Sequence, residues 1–311
     1  MKPQHLETNL DISSENTQPV QKKKQIDWVN TIFLTTTPIV AIALSALYFM
    51  QNGLQWSQIA LAVIFYFATG LSITGGYHRL FSHRAYKANN LVKFLYLIFG
   101  AATFQNSALK WSADHRIHHT HVDDEKDPYN INKGFWWAHI GWIFFQEKEV
   151  EPKYPKDLLN DKLVMWQHRN YLWLAVTMGV ILPTVIGYFL GSALGGLALA
   201  GFGRIVFVHH CTFFINSLCH IVGTRPYTDT NTARDSAIMA VFSYGEGYHN
   251  YHHYFPVDYR NGIKWYHFDP TKWMIKTLSF VGWTSDLKKV QEKLITQAKL
   301  EMKMKKYQPA A

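Results

Sequence analysis

Four long apolar runs divide this chain, and they come in two pairs. After a polar opening, residues 31–50 read TIFLTTTPIVAIALSALYFM without a charge. About 20 such residues cross a bilayer, so a first span is expected over 28–50, kinked at Pro38. The uncharged turn QNGLQWS (51–57) leads into a second span over 58–76, QIALAVIFYFATGLSITGG. YLWLAVTMGVILPTVIGYFLG at 171–191 and the block at 193–219 repeat the hairpin. Residues 1–26, with Lys22, Lys23 and Lys24, show no apolar period and begin too far ahead of it for a signal peptide. They read as a disordered cytoplasmic tail.

Two shorter apolar stretches behave differently. LVKFLYLIFGAATFQNSAL (91–109) contains Lys93, with Arg79, Arg84 and Lys87 before it and Lys110 and Arg116 after it. Positive charge marks the cytoplasmic side, so both flanks belong there and the segment is expected to turn back instead of crossing. FWWAHIGWIFF (135–145) is too short to span and reads as a Trp-rich interfacial belt. Arg204 lies inside the fourth apolar block, where a charge must face the bundle or a polar cavity, in a structural or a functional role. The expected fold is all-α: a four-span bundle of two hairpins with a cytosolic helical cap (77–170 and 220–285). Together they form a membrane domain over 27–285, followed by a Lys-rich C-terminal helix or tail at 286–311.

Composition sharpens this picture in three places. The mean hydropathy of −0.12 averages polar ends with apolar blocks and so conceals the spans. The net charge of +9 sits beside the apolar blocks and in the C-terminal tail, a membrane pattern and not a nucleic-acid one. Cys211 and Cys219, the only cysteines, lie eight apart in an apolar block, which excludes a disulfide framework and leaves reduced structural thiols.

The sixteen histidines are clustered. His115, His118 and His119 stand at offsets 0, 3 and 4, inside a sector of roughly 100° on a helix. His249, His252 and His253 repeat that spacing. His220, with Asn216 one turn before it, ends the fourth span. His78 and His83 follow the second span at offset five, about 140° apart on an α-helix, so they straddle something or the helix ends there. All four groups reach one predicted membrane face. Nine imidazoles exceed one octahedral ion, and two metal ions are the economical solution. Imidazole suits Zn, Cu, Fe and Ni alike, and a structural zinc site needs only four ligands. Asp114 and Glu246, with Asp123 and Asp127, stand near the histidines and are candidates to accept their second N–H; surface ion pairs with Arg116 or Arg260 are the alternative. His121, His139, His209 and His210 fit no group and read as structural.

HRLFSH, DHRIHH, NSLCH and GEGYHNYHH, in this order around two hydrophobic hairpins, resemble the integral-membrane fatty acyl desaturases. The nearest group is the acyl-CoA Δ9-desaturases and their bacterial relatives without a fused cytochrome b5 domain. The resemblance covers residues 30–285. It implies a cytosolic cap holding two iron ions, Fe2+, bound by His78, His83, His115, His118, His119, His220, His249, His252 and His253, with Asn216 reaching a metal through water. It further implies O2-dependent insertion of a cis double bond near mid-chain into a long-chain acyl thioester, acyl-CoA above others. Electrons would come from an external carrier of the cytochrome b5 or ferredoxin type with its reductase, since the chain shows no haem motif or flavin fingerprint. The setting implied is a multi-pass protein of the bacterial inner membrane, its cap in the cytoplasm, with the lipid bilayer and no nucleic acid as partner.

Asn106 and Trp111 match residues that meet the substrate headgroup. Two positions depart: Ala113, and Gln146 with Glu147, replace cations that meet the CoA in animal members, and Lys148 is a candidate substitute. Phe213 stands where a Trp is usual. The departures keep an acyl-lipid or acyl-carrier-protein substrate open. A hydroxylase or ketolase on the same scaffold is the sister reading. A membrane metal transporter is the reading from a different class, and ligands gathered at the span ends argue against it.

Overall fold

The computed structural model describes residues 25–146 and 154–307. Most of the polar opening (1–24), Glu147, Lys148 and residues 308–311 lie outside it. Four helices are long and apolar enough to cross a membrane: α1 (Trp28–Asn52), α2 (Trp56–Ser82), α5 (Tyr171–Phe189) and α6 (Ala193–Ile221). Between the pairs lie α3 (Asn90–Ala101) and α4 (Ala108–His121). The cap continues with α7 (His249–Tyr254), α8 (Pro270–Phe280) and α9 (Glu292–Tyr307). Gln25–Ile26, assigned to the tail by composition, instead pair antiparallel with Phe145–Gln146. Asp27 then caps α1 by accepting from the Asn30 N–H at 3.0 Å.

The spans are not equivalent. Half of the apolar window of α2 and of α6 is buried, against 17% for α1 and 22% for α5. The inner pair, α2 and α6, is also the pair whose ends carry His78 and His220, so the ligands stand on the best-packed helices. The second hairpin closes tightly because Gly187 and Gly196 face one another, and a Cβ on either would collide with the other's backbone. Buried Gln58 donates to the Gly187 carbonyl at 3.0 Å, joining the two hairpins at the far end from the cap.

The α2 helix runs six residues past its expected end because its geometry changes. From Ser72 to Ser82 it is a π-helix, and the His83 N–H returns to the His78 carbonyl at 3.1 Å. Hydrogen bonds from i+5 to i wind this turn wider than an α-helix, so offset five returns to the same face. The His78 and His83 rings therefore sit 4.8 Å apart, centroid to centroid, and not about 140° around the helix. Arg116 holds this end in place, donating to the Phe81 and Ser82 carbonyls at 2.6 and 3.0 Å while pairing with Asp157.

The α3–α4 segment leaves the cap side and returns to it. Asn89 and Ser107 cap the two helices. The turn between them buries helix-end carbonyls that water does not reach, and such groups need internal donors. Arg204 supplies one of them: its guanidinium donates to Ala102 O (2.6 Å) of the turn, and ties it to Gly179 O on α5 (2.8 Å) and Ala200 O on α6 (3.1 Å). His209 adds a bond to Thr103 O at 2.6 Å. Both residues are structural clamps on the re-entrant turn. Cys211 and Cys219 are free and buried.

Candidate metal centre

Nine imidazoles converge in two groups. His78, His83, His115, His119 and His252 form one, and His118, His220, His249 and His253 the other; within each group the ligand atoms lie within 4.8 Å of one another. The 0, 3, 4 spacing on α4 and again on α7 explains the sorting: adjacent His118 and His119 point about 100° apart and so serve different groups. In the first group, Nε2 of His83 and His115 are 2.9 Å apart, and Nε2 of His252 lies 3.0 Å from His78 and 2.9 Å from His119. In the second, Nε2 of His253 lies 3.2 Å from His118 and 3.0 Å from His249, which is 3.1 Å from Nε2 of His220.

Hydrogen bonds do not account for this geometry. The His118 Nδ1–H is held by Asp127, 2.9 Å from both carboxylate oxygens. The Thr232 hydroxyl donates to Asp123 Oδ1 at 2.7 Å, so it accepts from His220 Nδ1–H, also at 2.7 Å. His118 and His220 consequently aim bare Nε2 lone pairs into the same space. Single protons on His249 and His253 leave at least one of the three contacts unbridged. A cation resolves the conflict. With metal–imidazole bonds of about 2.0–2.1 Å, right-angled neighbours stand about 2.8–3.0 Å apart and tetrahedral ones about 3.3–3.4 Å. The first group's spacings match right-angled coordination and the second's, 3.0–3.2 Å, run between the two, so the nine-imidazole donor set fits a pair of transition-metal ions.

The surroundings favour the neutral, ligating form. Burial first, then repulsion from neighbouring imidazoles, drives His83, His115, His119, His249, His252 and His253 well below the ordinary imidazole range. Glu246 lies 2.8 Å from His78 Nδ1 and is itself gripped by Arg79 and Asn261. Arg79, 1% exposed, also pairs with Asp269 at 3.0 Å and donates to Tyr259 O. Burial opposes the charge on Glu246, but attraction by His78 and Arg79 outweighs it and keeps the carboxyl below its usual range.

A cavity of about 510 Å³ runs along the centre, inside the range of roughly 300–1,000 Å³ that holds small molecules. At its mouth stand Lys110, Lys126, Lys133, Asp114 and Glu125; Trp111, Tyr129, Trp137 and Trp142 line the neck; His78, His115, His249 and Asn216 come next. Within the spans it is lined by Gly70, Ile73, Phe104, His209, Cys211 and Tyr244.

A fatty acid desaturase family model matches residues 54–279, most of the chain and all nine histidines. The chain belongs to the fatty acid desaturase family. Acyl-CoA desaturase 1 of Saccharomyces cerevisiae is 39% identical over 308 residues, covering 96% of this chain and 59% of the yeast protein. A probable acyl-CoA desaturase of Schizosaccharomyces pombe is 41% identical over 285 residues, 91% of this chain and 59% of its own length. The chain thus spans about three fifths of these fungal relatives. An sn-1 stearoyl-lipid 9-desaturase of Anabaena variabilis is 32% identical over 278 residues, 87% of this chain and 97% of that one.

The residues expected from sequence fall as follows. All nine histidines join a group. Asn216, Asn106, Trp111 and Asp114 line the cavity, and Trp111 stacks on His115 at 5.0 Å. Glu246, Asp127 and, through Thr232, Asp123 hold ligand rings. The ring nitrogen of His115 meets the Tyr129 hydroxyl at 3.3 Å, a partner that sequence proximity did not suggest. Arg116 and Arg260 pair with Asp157 and Asp258, leaving Glu246 to the centre. His139 bonds His210 at 3.0 Å and Ser217 at 3.1 Å, a pair away from both groups. Tyr129, Thr232 and the Arg79–Asp269 pair went unrecognised; the only signal was Arg79 itself, charged beside His78 at the end of an apolar run.

Proposed function

We propose that this chain is an O2-dependent di-iron fatty acyl desaturase that inserts a cis double bond, at or near Δ9, into a long-chain acyl-CoA. The observation that carries the reading is a single cavity passing from a cationic mouth, past both histidine groups, into an apolar end. Two iron ions held by these histidines would supply, with O2, an oxidant strong enough for an unactivated methylene. The overall balance removes one hydrogen from each of two adjacent methylenes, draws two electrons and two protons from outside, and reduces O2 to two waters. A separate carrier of the cytochrome b5 or ferredoxin type delivers the electrons.

The chain's own residues prepare that chemistry. Asp127 and the Thr232–Asp123 pair fix the tautomers of His118 and His220, and Glu246 orients His78. Trp111 covers His115, and with Trp137, Trp142 and Tyr129 it keeps the neck apolar, so water is excluded while an alkyl chain passes. Asn216, which lines the cavity one helical turn before His220, would hold a water against a metal.

Support for CoA comes from the mouth. Lys110 stands one helical turn before Ala113, on the same face, and restores positive charge near the position where Ala113 lacks it. Lys133 is tied to Glu125 at 3.1 Å, whereas Lys110 and Lys126 make no ion pair among the described residues and are free to meet phosphates. The cap lies on the cytoplasmic side by its flanking positive charge. Purified protein with reductant, carrier and O2 tests the substrate: stearoyl-CoA should be converted, with KM rising several-fold for Lys110→Glu/Lys126→Glu. Conversion of a stearoyl lipid or acyl-carrier protein, with stearoyl-CoA inert, would refute the carrier.

A further inference from the structure

Among the described residues, two oxidisable rings pack against ligand imidazoles. Trp111 stacks on His115 at 5.0 Å, and its next aromatic neighbour outside the ligands is Tyr77, which is fully buried. Tyr129 is placed differently. Its ring lies 4.3 Å from the His118 ring, centroid to centroid, and its hydroxyl oxygen is 3.3 Å from His115 Nδ1. His115 belongs to the five-histidine group and His118 to the four-histidine group, so one phenol touches both. His115 turns its Nε2 toward another ligand, so its Nδ1–H donates and the phenol oxygen accepts. The phenol's own O–H is left for the cavity, which Tyr129 lines.

This placement is fixed, and it leads outward. The Tyr129 backbone N–H donates at 3.2 Å to Asp127, the carboxylate that also holds His118. Tyr129 is buried and packs on Trp142 at 5.0 Å, and the Trp142 ring is only half-buried. The order ligand, Tyr129, Trp142 therefore runs from the buried centre to an accessible ring. An oxidant able to take hydrogen from an unactivated methylene also oxidises a phenol, whose O–H bond is weaker. With an acyl chain in place, the methylene meets that oxidant. With the cavity empty, the groups within reach are the ligands and the rings packed on them, and oxidation of a ligand destroys the centre.

We propose that Tyr129 and Trp142 form an escape path by which oxidising equivalents leave the metal centre when no acyl chain is bound. The inference rests on the desaturase reading. Tyr129 gives one electron to the oxidised centre and its hydroxyl proton to water in the cavity. Trp142 then gives one electron to the tyrosyl radical, which takes its proton back. A small thiol reduces the Trp142 radical cation and loses its own proton, and two such events leave one disulfide. An acyl chain displaces the water, so the phenol has nowhere to send its proton and stays reduced during desaturation.

Full-length, iron-loaded protein is reduced, mixed with O2 and frozen, with and without stearoyl-CoA, and its radicals are read by electron paramagnetic resonance. Without substrate, Trp142→Phe blocks the second step and should show a tyrosyl signal several-fold above wild type. Tyr129→Phe should lose that signal, and stearoyl-CoA should suppress it in Trp142→Phe. No tyrosyl signal in Trp142→Phe, or the same signal in Tyr129→Phe, overturns the path. Where a variant does not retain iron, the wild type carries the test. Turned over without substrate or thiol, it should gain oxygen on Trp142 ahead of His115 and His118 by peptide mass spectrometry, and the reverse order overturns the path equally. Alkene formation in the same wild-type preparation tests the desaturase reading by itself. No alkene under iron, O2 and a working carrier refutes that reading and the path with it, whereas alkene without the radical refutes the path alone.

Discussion

Asp127→Asn tests the logic of the second histidine group. Asp127 is 2% exposed, and its carboxylate accepts from His118 Nδ1 as well as from the backbone N–H groups of Asp123 (3.0 Å) and Tyr129 (3.2 Å). Every neighbour is a donor. An amide in its place must turn its NH2 toward one of them, and His118 can relieve the clash only by moving its proton to Nε2, the atom that faces the other ligands. A hydrogen bond to a charged group contributes about 1.5–3 kcal/mol, or about 10- to 150-fold in metal affinity. That agrees with the 10- to 100-fold typical for groups that orient a metal ligand. The assay is chelator titration of iron-loaded protein in detergent, with iron per chain read by mass spectrometry. One of two irons should leave at 10-fold or lower chelator, while the other, held by the five-histidine group, stays. The exposed Asp124→Asn should behave as wild type. An unchanged release curve for Asp127→Asn would refute the tautomer argument.

Further outcomes follow from other parts of the fold. Arg204→Leu leaves three carbonyls without their donor in a water-poor interior, at about 1–3 kcal/mol each, so the protein should lose most of its thermal stability in detergent; a melting temperature within a degree or two of wild type would contradict the clamp. Thr232→Val removes the acceptor for His220 Nδ1 and should weaken iron retention about 10-fold with no change in secondary structure by circular dichroism. Burial raises the Asp235 carboxyl to about 7. The folded state therefore holds a proton that the unfolded state releases between about pH 4 and 7, and stability should fall as pH rises through that window and level off above it. The loss is at most about 4 kcal/mol at 1.36 kcal/mol per unit, and Asp235→Asn should flatten the slope in a denaturation series from pH 4.5 to 8.

Much of the molecule was legible from sequence because membranes make simple demands. Run length located α1, α5 and α6 to within a few residues, and charge on both flanks identified α3 as an element that turns back. The end of α2 was missed because periodicity assumes an α-helix. A π-turn leaves no hydropathy signal, and only the awkward offset between His78 and His83 hinted at it. Ring partners were harder. Asp114 adjoins His115 in sequence, yet neighbours on a helix diverge by about 100°, and the His115 ring met Tyr129 from a later loop instead. Thr232 reaches His220 from twelve positions further along the chain, which no local pattern encodes. Arg204 was open to a functional role because charge is costly in a span, and His209 read as structural without a partner in view. The re-entrant turn they hold explains that cost.

In the proposed function, two metal-binding histidine groups act on an acyl chain lying in the adjoining cavity. Expression in a host that makes no unsaturated fatty acids, followed by gas chromatography with location of the double bond, tests it most directly. A cis mono-unsaturated product with the bond at or near carbon nine, abolished by His118→Ala while the protein remains in the membrane, is the result expected. No new alkene, despite bound iron and a supplied electron carrier, would contradict it.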